Sequence, residues 1–369
     1  MFHPQTHWHC SILQRLKKDN IIMAKKLIMP APGQVDYIDI PLDNPGPGQV
    51  LARTVISGIS HGTEMTAYQG VSPFITKGMT AERTFRDKLP EDPDFYPFKY
   101  AGYDAVGIVK AIGEGVTKYH TGDRVWCEVT HQTEFLFHED APNAFKLPDT
   151  IHNDEALMLN LTSISYGAVL DAEIKLGDAV LIIGGGTVGQ MAVQMANLSG
   201  ARLVILVEPL AERRAFAESH TPVVTIDPKA VESLAKTVCE INGGAFPDVV
   251  IECTGVVAGL KGAVQCAGVA GVVVAAGFYA GGSPGFSFGE EFLHNRITIR
   301  ASMTKWGCPS RFNRWDTNRI LKETFHMMAA RKLNLNNFVS ARYPFLDAKT
   351  AYEAIQSNPS KYLKVALTY

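Results

Sequence analysis

The chain has no strong charge imbalance, no long apolar run and no closely spaced pair of cysteines. Its 35 Lys and Arg against 37 Asp and Glu leave a formal net charge of -2. A polyanion such as DNA therefore finds no field to draw it in, and no nucleic-acid partner is expected. No segment approaches the roughly 18 consecutive apolar residues that a membrane span needs, so no membrane partner is expected either. Cys10, Cys127, Cys239, Cys253, Cys266 and Cys308 are scattered, unlike a disulfide framework or a zinc ribbon, and read mostly as buried free thiols. The amino terminus MFHPQTHWHCSILQRLKKDN lacks the apolar stretch and small-residue cleavage site of a signal peptide, which makes the cytoplasm the expected compartment. His3, His7, His9 and Cys10 read as an untethered tail rather than a metal site, because nothing around them forms a stable element. Met23 opens the first strand-like segment.

What is present describes an ordinary globular protein. The 369 residues are 46% hydrophobic and 20% charged, enough for two domains. From Lys25 to about Phe145 the text is strand-like and turn-rich, with VLARTVISGIS and AVGIVKAIGEGV as strands and DNPGPGQV as a turn. Residues 71–98 exceed what a plain connection needs and stand as either a lid over the substrate or a surface excursion. From about Leu161 short apolar runs alternate with helix-length amphipathic stretches: AVLII, TVGQMAVQMANLSG, RLVILV, AERRAFAES, DVVIE, GVVVAAG. That alternation predicts a doubly wound parallel sheet with crossover helices. From about Lys305 the pattern is mixed again and closes on the strand KYLKVALTY.

The strongest motif is Gly184-Gly185-Gly186-Thr187-Val188-Gly189. It follows the apolar run Val180–Ile183, opens an amphipathic helix, and is followed by a second strand ending in Glu208. Each element has a mechanical task in binding a dinucleotide. Gly184 permits the tight turn, Gly186 lets the pyrophosphate approach the backbone, and Gly189 lets the helix pack on the strand. The helix start offers free N–H groups to the phosphates. Glu208 is placed to accept hydrogen bonds from the adenosine ribose and to repel a 2′-phosphate, which favours NAD over NADP. Arg213 and Arg214 lie close enough to soften that preference.

With these residues in view, the chain resembles the medium-chain dehydrogenase/reductase superfamily, the alcohol dehydrogenase-like proteins, from about residue 25 to the end. SGISHGTE at 57–64 is similar to the segment carrying the first catalytic zinc ligand, and AGYDAVGIVKAIGEGVTKYHTGDRV at 101–125 to the GHE-containing signature. LGDAVLIIGGGTVG at 176–189, DVVIECTG at 248–255 and VVAAGFY at 273–279 resemble the cofactor-domain segments. The resemblance implies a Rossmann doubly wound sheet inserted into a GroES-like β-rich catalytic domain. The expected divisions are an extension (1–22), a leading catalytic segment (23–161), the Rossmann domain (162–304) and a closing catalytic segment (305–369). It implies cofactor contacts at Gly184, Gly186, Thr187, Val188, Gly189, Glu208, Arg213, Thr254, Gly277 and Phe278, and at Lys364 toward the pyrophosphate. A small-molecule substrate and a homodimer or homotetramer follow from the same likeness.

The departures from the family pattern carry equal weight. Ser60 or His61 stands where zinc-dependent members have a cysteine, Tyr103 and Asp104 replace the histidine and glutamate of GHE, and the third ligand position falls near Asn160 or Leu161. Tetrahedral zinc needs three or four converging ligands, and at most His61 and Asp104 remain. The four-cysteine structural lobe is missing too, with only Cys127 in its place. These losses imply a zinc-independent member, similar to the branch of bacteriochlorophyllide a dehydrogenase and sugar or cyclitol dehydrogenases. The expected activity is NAD-dependent interconversion of a secondary alcohol and a ketone on a sugar, cyclitol or ring substrate. An NADPH-dependent quinone or enone reductase, and a catalytically silent nucleotide-binding protein, are the alternatives. The resemblance makes Thr63 the start of a proton relay and Tyr103 a donor to the substrate oxygen. His61 is expected to titrate near neutral pH and move the proton, and Asp104 to orient His61 or to pair with a nearby base. Arg311, Arg314 and Arg319, in WGCPSRFNRWDTNR, are either an anion-binding cluster or a solvated helix start.

Overall fold

The computed structural model describes residues 21–279, 285–308 and 314–369. The histidine-rich tail and Arg311 lie outside the described residues. Within them, the two patterns of the sequence become two different sheets.

The first sheet is parallel throughout. Its six strands stand side by side as Val224–Ile226, Leu203–Val207, Ala179–Ile183, Val249–Glu252, Val272–Ala275 and Thr298–Ala301. The chain starts in the middle, winds outward to one edge, then returns and winds to the other, which is the doubly wound order. All five residues of Ala179–Ile183 are buried, as a strand covered on both faces must be. Val180 and Ile182 face one core with Met191, Ala192, Leu206 and Ile251, while Leu181 and Ile183 face the other with Ile205, Val250 and Val264. The direction of winding reverses between Ala179–Ile183 and Val249–Glu252, the point at which doubly wound sheets form a binding crevice at their strand ends.

The second sheet joins the two ends of the chain. Its order is Val339–Pro344, Lys364–Thr368, Gln49–Ile59, Ala105–Ile112, Arg124–Cys127 and Ala144–Lys146, with Glu134–His138 also paired to Gln49–Ile59. The closing strand runs antiparallel to Gln49–Ile59, with Val365 opposite Ile59 and Ala366 opposite Gly58. This register brings Lys364 next to the SGISHGTE segment. The core beneath combines Leu27, Met29, Ile59 and Met65 with Phe345, Tyr352 and Val365, so each end of the chain needs the other to bury its apolar face.

Residues 71–98 are a built excursion. They hold a short turn at Pro73–Ile75 and a hairpin of Lys77–Met79 with Phe85–Asp87. A bidentate Arg86–Asp92 pair ties the hairpin to the chain that follows. Phe74 and Phe85 pack their rings 5.5 Å apart, yet both remain exposed. In the arginine-rich segment, Arg319 stacks over Trp315 at 4.2 Å, and its backbone N–H donates to Asp316, which caps the helix Thr317–Ala329. That arrangement is a helix start. Cys127, Cys239, Cys253 and Cys266 are free thiols, and burial pushes Cys127 and Cys266 up, the latter to about 12. Among the described residues no helix is long and apolar enough to cross a membrane.

Candidate active site

The glycine turn sits at the crevice. Gly184 has φ +100°, a conformation that only glycine adopts without strain. A Cβ on Gly189 would lie 1.8 Å from the Gly184 carbonyl oxygen, so the helix Thr187–Leu198 can approach its strand only with a bare backbone there. Gly186 is different: a Cβ on it would meet nothing nearer than Arg213 Nη1 at 4.0 Å. Open space thus faces the helix start, whose N–H groups have no side-chain cap. Arg213 turns toward this space. Its Nη2 donates to the carbonyls of Pro359 and Tyr362, while its buried Nε has no partner among the described residues. A backbone cradle, an uncapped helix end and a guanidinium with a donor to give fit the pyrophosphate of a dinucleotide.

Glu208 closes the next strand and is buried. It accepts from Gly185 N at 2.7 Å and Leu210 N at 2.9 Å, and stands 4.0 Å from Arg213. Thr187 Oγ1 donates to the Leu363 carbonyl at 2.6 Å and ties this half to the closing strand. Val188 lies at the helix start, its carbonyl accepting from Ser165. Opposite, a second strand-end acid, Glu252, is fully buried and organises the loop that follows. It accepts from Thr254 N and Gly255 N, from the Thr254 hydroxyl, and from Tyr279. A Cβ on Gly277 would lie 2.2 Å from Gly255 N, so the two loops touch backbone to backbone. Phe278 is half exposed beside them. Glu252 and Tyr279 were not singled out in the sequence, although an acid ending an apolar run repeats the signal that marked Glu208.

In the catalytic half, Ser60, Tyr103 and Asn160 meet. Tyr103 Oη donates to Ser60 Oγ at 2.5 Å, and Asn160 Nδ2 approaches the Tyr103 carbonyl at 3.5 Å. Burial, with Asp104 adding to it, pushes the Tyr103 phenol well above its usual value, while Ser60 and Thr63 hydroxyls pull the other way. Thr63 itself is exposed at the start of the helix Thr63–Tyr68. Asp104 is fully buried and accepts from Trp126 Nε1 at 3.1 Å, Asn160 N at 3.2 Å and Lys364 Nζ at 3.2 Å. Burial pushes its carboxyl up to about 6 against the pull of Lys364.

Of the two roles expected for Asp104 the structure shows the second, and two other expectations change. Asp104 does not orient His61; it pairs with Lys364, because Lys364–Thr368 and Ala105–Ile112 flank Gln49–Ile59 on its two sides. Lys364 is itself fully buried, and its ammonium is engaged by Asp104 rather than free for the pyrophosphate. His61 does not titrate near neutrality. Burial first, then the charge of Lys364, lowers it to about 4, so at neutral pH it is an uncharged imidazole whose buried Nε2 has no partner among the described residues.

A buried network that the sequence did not disclose lies behind this cluster. Glu64 accepts from Ser60 N at 2.7 Å and from the Tyr352 hydroxyl, and meets His131 Nε2 at 3.0 Å. His131 Nδ1 meets Ser57 Oγ at 2.7 Å, which reaches the Tyr369 hydroxyl at 2.8 Å. Burial works to raise the Glu64 carboxyl, but His131, Tyr352 and Ser60 outweigh it and hold it below the usual range. Glu64 was visible as an acid inside SGISHGTE, whereas nothing local marked His131.

This donor set does not suit zinc. Ser60, Tyr103 and Asn160, which stand at or beside the places where the resemblance puts the family's ligands, offer hydroxyl and amide groups, and two of them are bonded to each other. Among the described residues no three His, Cys, Asp or Glu side chains converge on one point.

Comparison with known proteins bears on both halves. Residues 46–146 match the family model "Alcohol dehydrogenase GroES-like domain" and residues 187–316 match "Zinc-binding dehydrogenase". D-guloside 3-dehydrogenase of Shigella flexneri is 27% identical over 356 residues, covering 94% of this chain and the whole of the relative. (R,R)-butanediol dehydrogenase of Bacillus subtilis is 29% identical over 229 residues, 55% of this chain and 64% of the relative. Among solved structures, 2R,3R-butanediol dehydrogenase from Bacillus subtilis superposes with a TM-score of 0.74 at 18% identity, covering 94% of this chain and 99% of that one. An Escherichia coli oxidoreductase/dehydrogenase of unknown specificity does so with 0.75 at 20%, covering the same shares. At those identities the structural likeness is one of fold.

Proposed function

The chain belongs to the medium-chain dehydrogenase/reductase superfamily as an NAD(P)-dependent alcohol/ketone oxidoreductase, and on that premise we propose that it oxidises a secondary alcohol on a polyhydroxylated ring with NAD and without zinc. The observation that carries this reading is the cluster at the metal positions: Tyr103 bonded to Ser60, with the buried Asp104–Lys364 pair beside it. The sugar and polyol names of the relatives support the substrate class.

The nicotinamide, when bound, accepts or returns the hydride. The chain's own residues do the rest. Gly186, the helix start and Arg213 hold the pyrophosphate, and Glu208 takes the ribose hydroxyls in place of a 2′-phosphate. Thr63 and Tyr103 carry hydroxyl groups to the substrate oxygen, where hydrogen-bond donors must do what a metal does elsewhere. His61, uncharged at neutral pH, lines the cleft as a hydrogen-bonding group rather than an acid. Arg214, which donates to the Glu208 carbonyl at 2.7 Å, favours a second reading in which a 2′-phosphate is tolerated and NADP also serves.

The test is a metal analysis of purified protein joined to a reduction screen with NAD and NADP over sugars, cyclitols and simple alcohols. The reading expects no stoichiometric zinc, turnover with NAD, and weaker turnover with NADP. Stoichiometric zinc, or no nucleotide binding, would sink it.

A further inference from the structure

The cluster at the metal positions contains a charge that hydrogen-bond donors alone do not explain. Lys364 has no exposed surface, and among the described residues Asp104 is the one acceptor of its Nζ. An ammonium has three N–H donors, so a single carboxylate leaves some of its demand unmet. Its Nζ lies 5.9 Å from the centre of the Tyr103 ring. The sequence makes room for it: a Cβ on Gly58 would stand 2.3 Å from Lys364 Cε and 2.8 Å from Nζ. Ser60 is buried against the phenol oxygen, whereas Tyr103 alone of the three keeps some exposure.

The geometry points to Ser60, Tyr103 and Lys364 as one metal-free proton-transfer unit, an inference that rests on the oxidoreductase reading above. Tyr103 exchanges the proton with the substrate oxygen. Ser60 holds the phenol oxygen, and Lys364 is the positioning cation that stabilises its phenolate, anchored by Asp104. In ketone reduction the carbonyl carbon gains a hydride from the bound dihydronicotinamide, and the C=O π pair moves onto oxygen. That oxygen takes the Tyr103 proton as the phenolic O–H bond breaks. The phenolate left behind accepts from Ser60, has the ammonium 5.9 Å from its ring centre, and regains a proton from water by way of the exposed Thr63 hydroxyl. Alcohol oxidation is the reverse, with the proton passing to solvent.

The experiment measures zinc content, NADH binding by fluorescence, and oxidation with NAD of a D-guloside, sorbitol, L-arabinitol and (R,R)-butanediol. Tyr103→Phe is expected to lower kcat by about 100-fold or more while NADH affinity is unchanged. Lys364→Met is expected to lower kcat by about tenfold or more and to move the rising limb of its pH profile upward, because phenolate forms less readily without a neighbouring cation. Lys364→Arg should return that limb. Since Lys364→Met strands a buried carboxylate, the double variant Lys364→Met/Asp104→Asn serves as control: it should recover the melting temperature but not kcat. A Tyr103→Phe protein with full kcat, stoichiometric zinc, or a Lys364→Met protein that loses NADH affinity with an unmoved limb would each overturn the unit. Wild-type protein that binds NADH but oxidises no alcohol leaves the nucleotide site standing and overturns the unit alone. Protein that binds no NADH overturns the reading beneath it as well.

Discussion

The two halves of this molecule keep their family's architecture by different means. The nucleotide half is built from backbone: Gly184 in a left-handed conformation, Gly189 pressed against a carbonyl, and Gly186 opening onto free space. The catalytic half is built from side chains set on a sheet, where Ser60, Tyr103 and Asn160 meet. A site made of backbone cannot be altered without breaking the fold around it. A site made of side chains on a sheet can be rewritten without moving the backbone, provided that buried partners such as Asp104 and Lys364 change together.

That contrast can be broken in graded ways. The largest effect is expected from Gly189→Ala, whose one added carbon has no room beside the Gly184 carbonyl. It should cost about 3 kcal/mol and abolish NADH binding, read by thermal denaturation and fluorescence. Survival of both would show that the turn has slack and that the contrast is wrong.

The next largest concerns pH. His61 is lowered to about 4, so between about 4 and its unfolded value near 6.5 the unfolded chain binds a proton that the native state refuses, and stability rises with pH. Asp104 is raised to about 6, so between its unfolded value of about 3.8 and 6 the native state holds a proton that the unfolded chain has released, and stability falls with pH. The two slopes oppose each other across nearly the same window. Relative to wild type, His61→Gln should therefore lose stability from pH 4 to 6 and Asp104→Asn should gain it, measured by urea unfolding. Slopes of the same sign in both variants would refute the assignment.

Glu208→Gln tests the nucleotide half at a side chain. It should reduce the preference for NAD over NADP by about tenfold, or about 1.4 kcal/mol, as the ratio of the two kcat/KM values. An unchanged ratio would move cofactor choice to Arg213 and Arg214. The smallest effect is expected at the hairpin. Phe85→Ala should change stability by about 0.5 kcal/mol or less and leave NADH affinity alone. A raised KM for the alcohol would then mark the hairpin as a cover over the substrate.

Legibility followed the same divide. Gly184 to Gly189, the apolar strand before them and Glu208 after them were readable because their tasks are local: a turn, a helix start and a strand end lie within one βαβ unit. The departures at Ser60, His61, Tyr103 and Asp104 were readable as well, since each stood inside a recognisable segment. Their new partners were not. Tyr103 reaches Ser60 across 43 positions, Glu64 reaches His131 across 67, and Asp104 reaches Lys364 across 260. No spacing along the chain encodes such pairs.

By itself the sequence determined the doubly wound nucleotide half, the strand-rich catalytic half and the residues that depart from the family's zinc segments, because periodicity, glycine and residue type are local properties. The tertiary structure alone decided which side chains meet there. Only when the closing strand docks beside Gln49–Ile59 does Lys364 come over Gly58 to Asp104 and Tyr103. Only burial there sets a carboxyl near 6 and an imidazole near 4, since desolvation belongs to a packed interior and not to a chain.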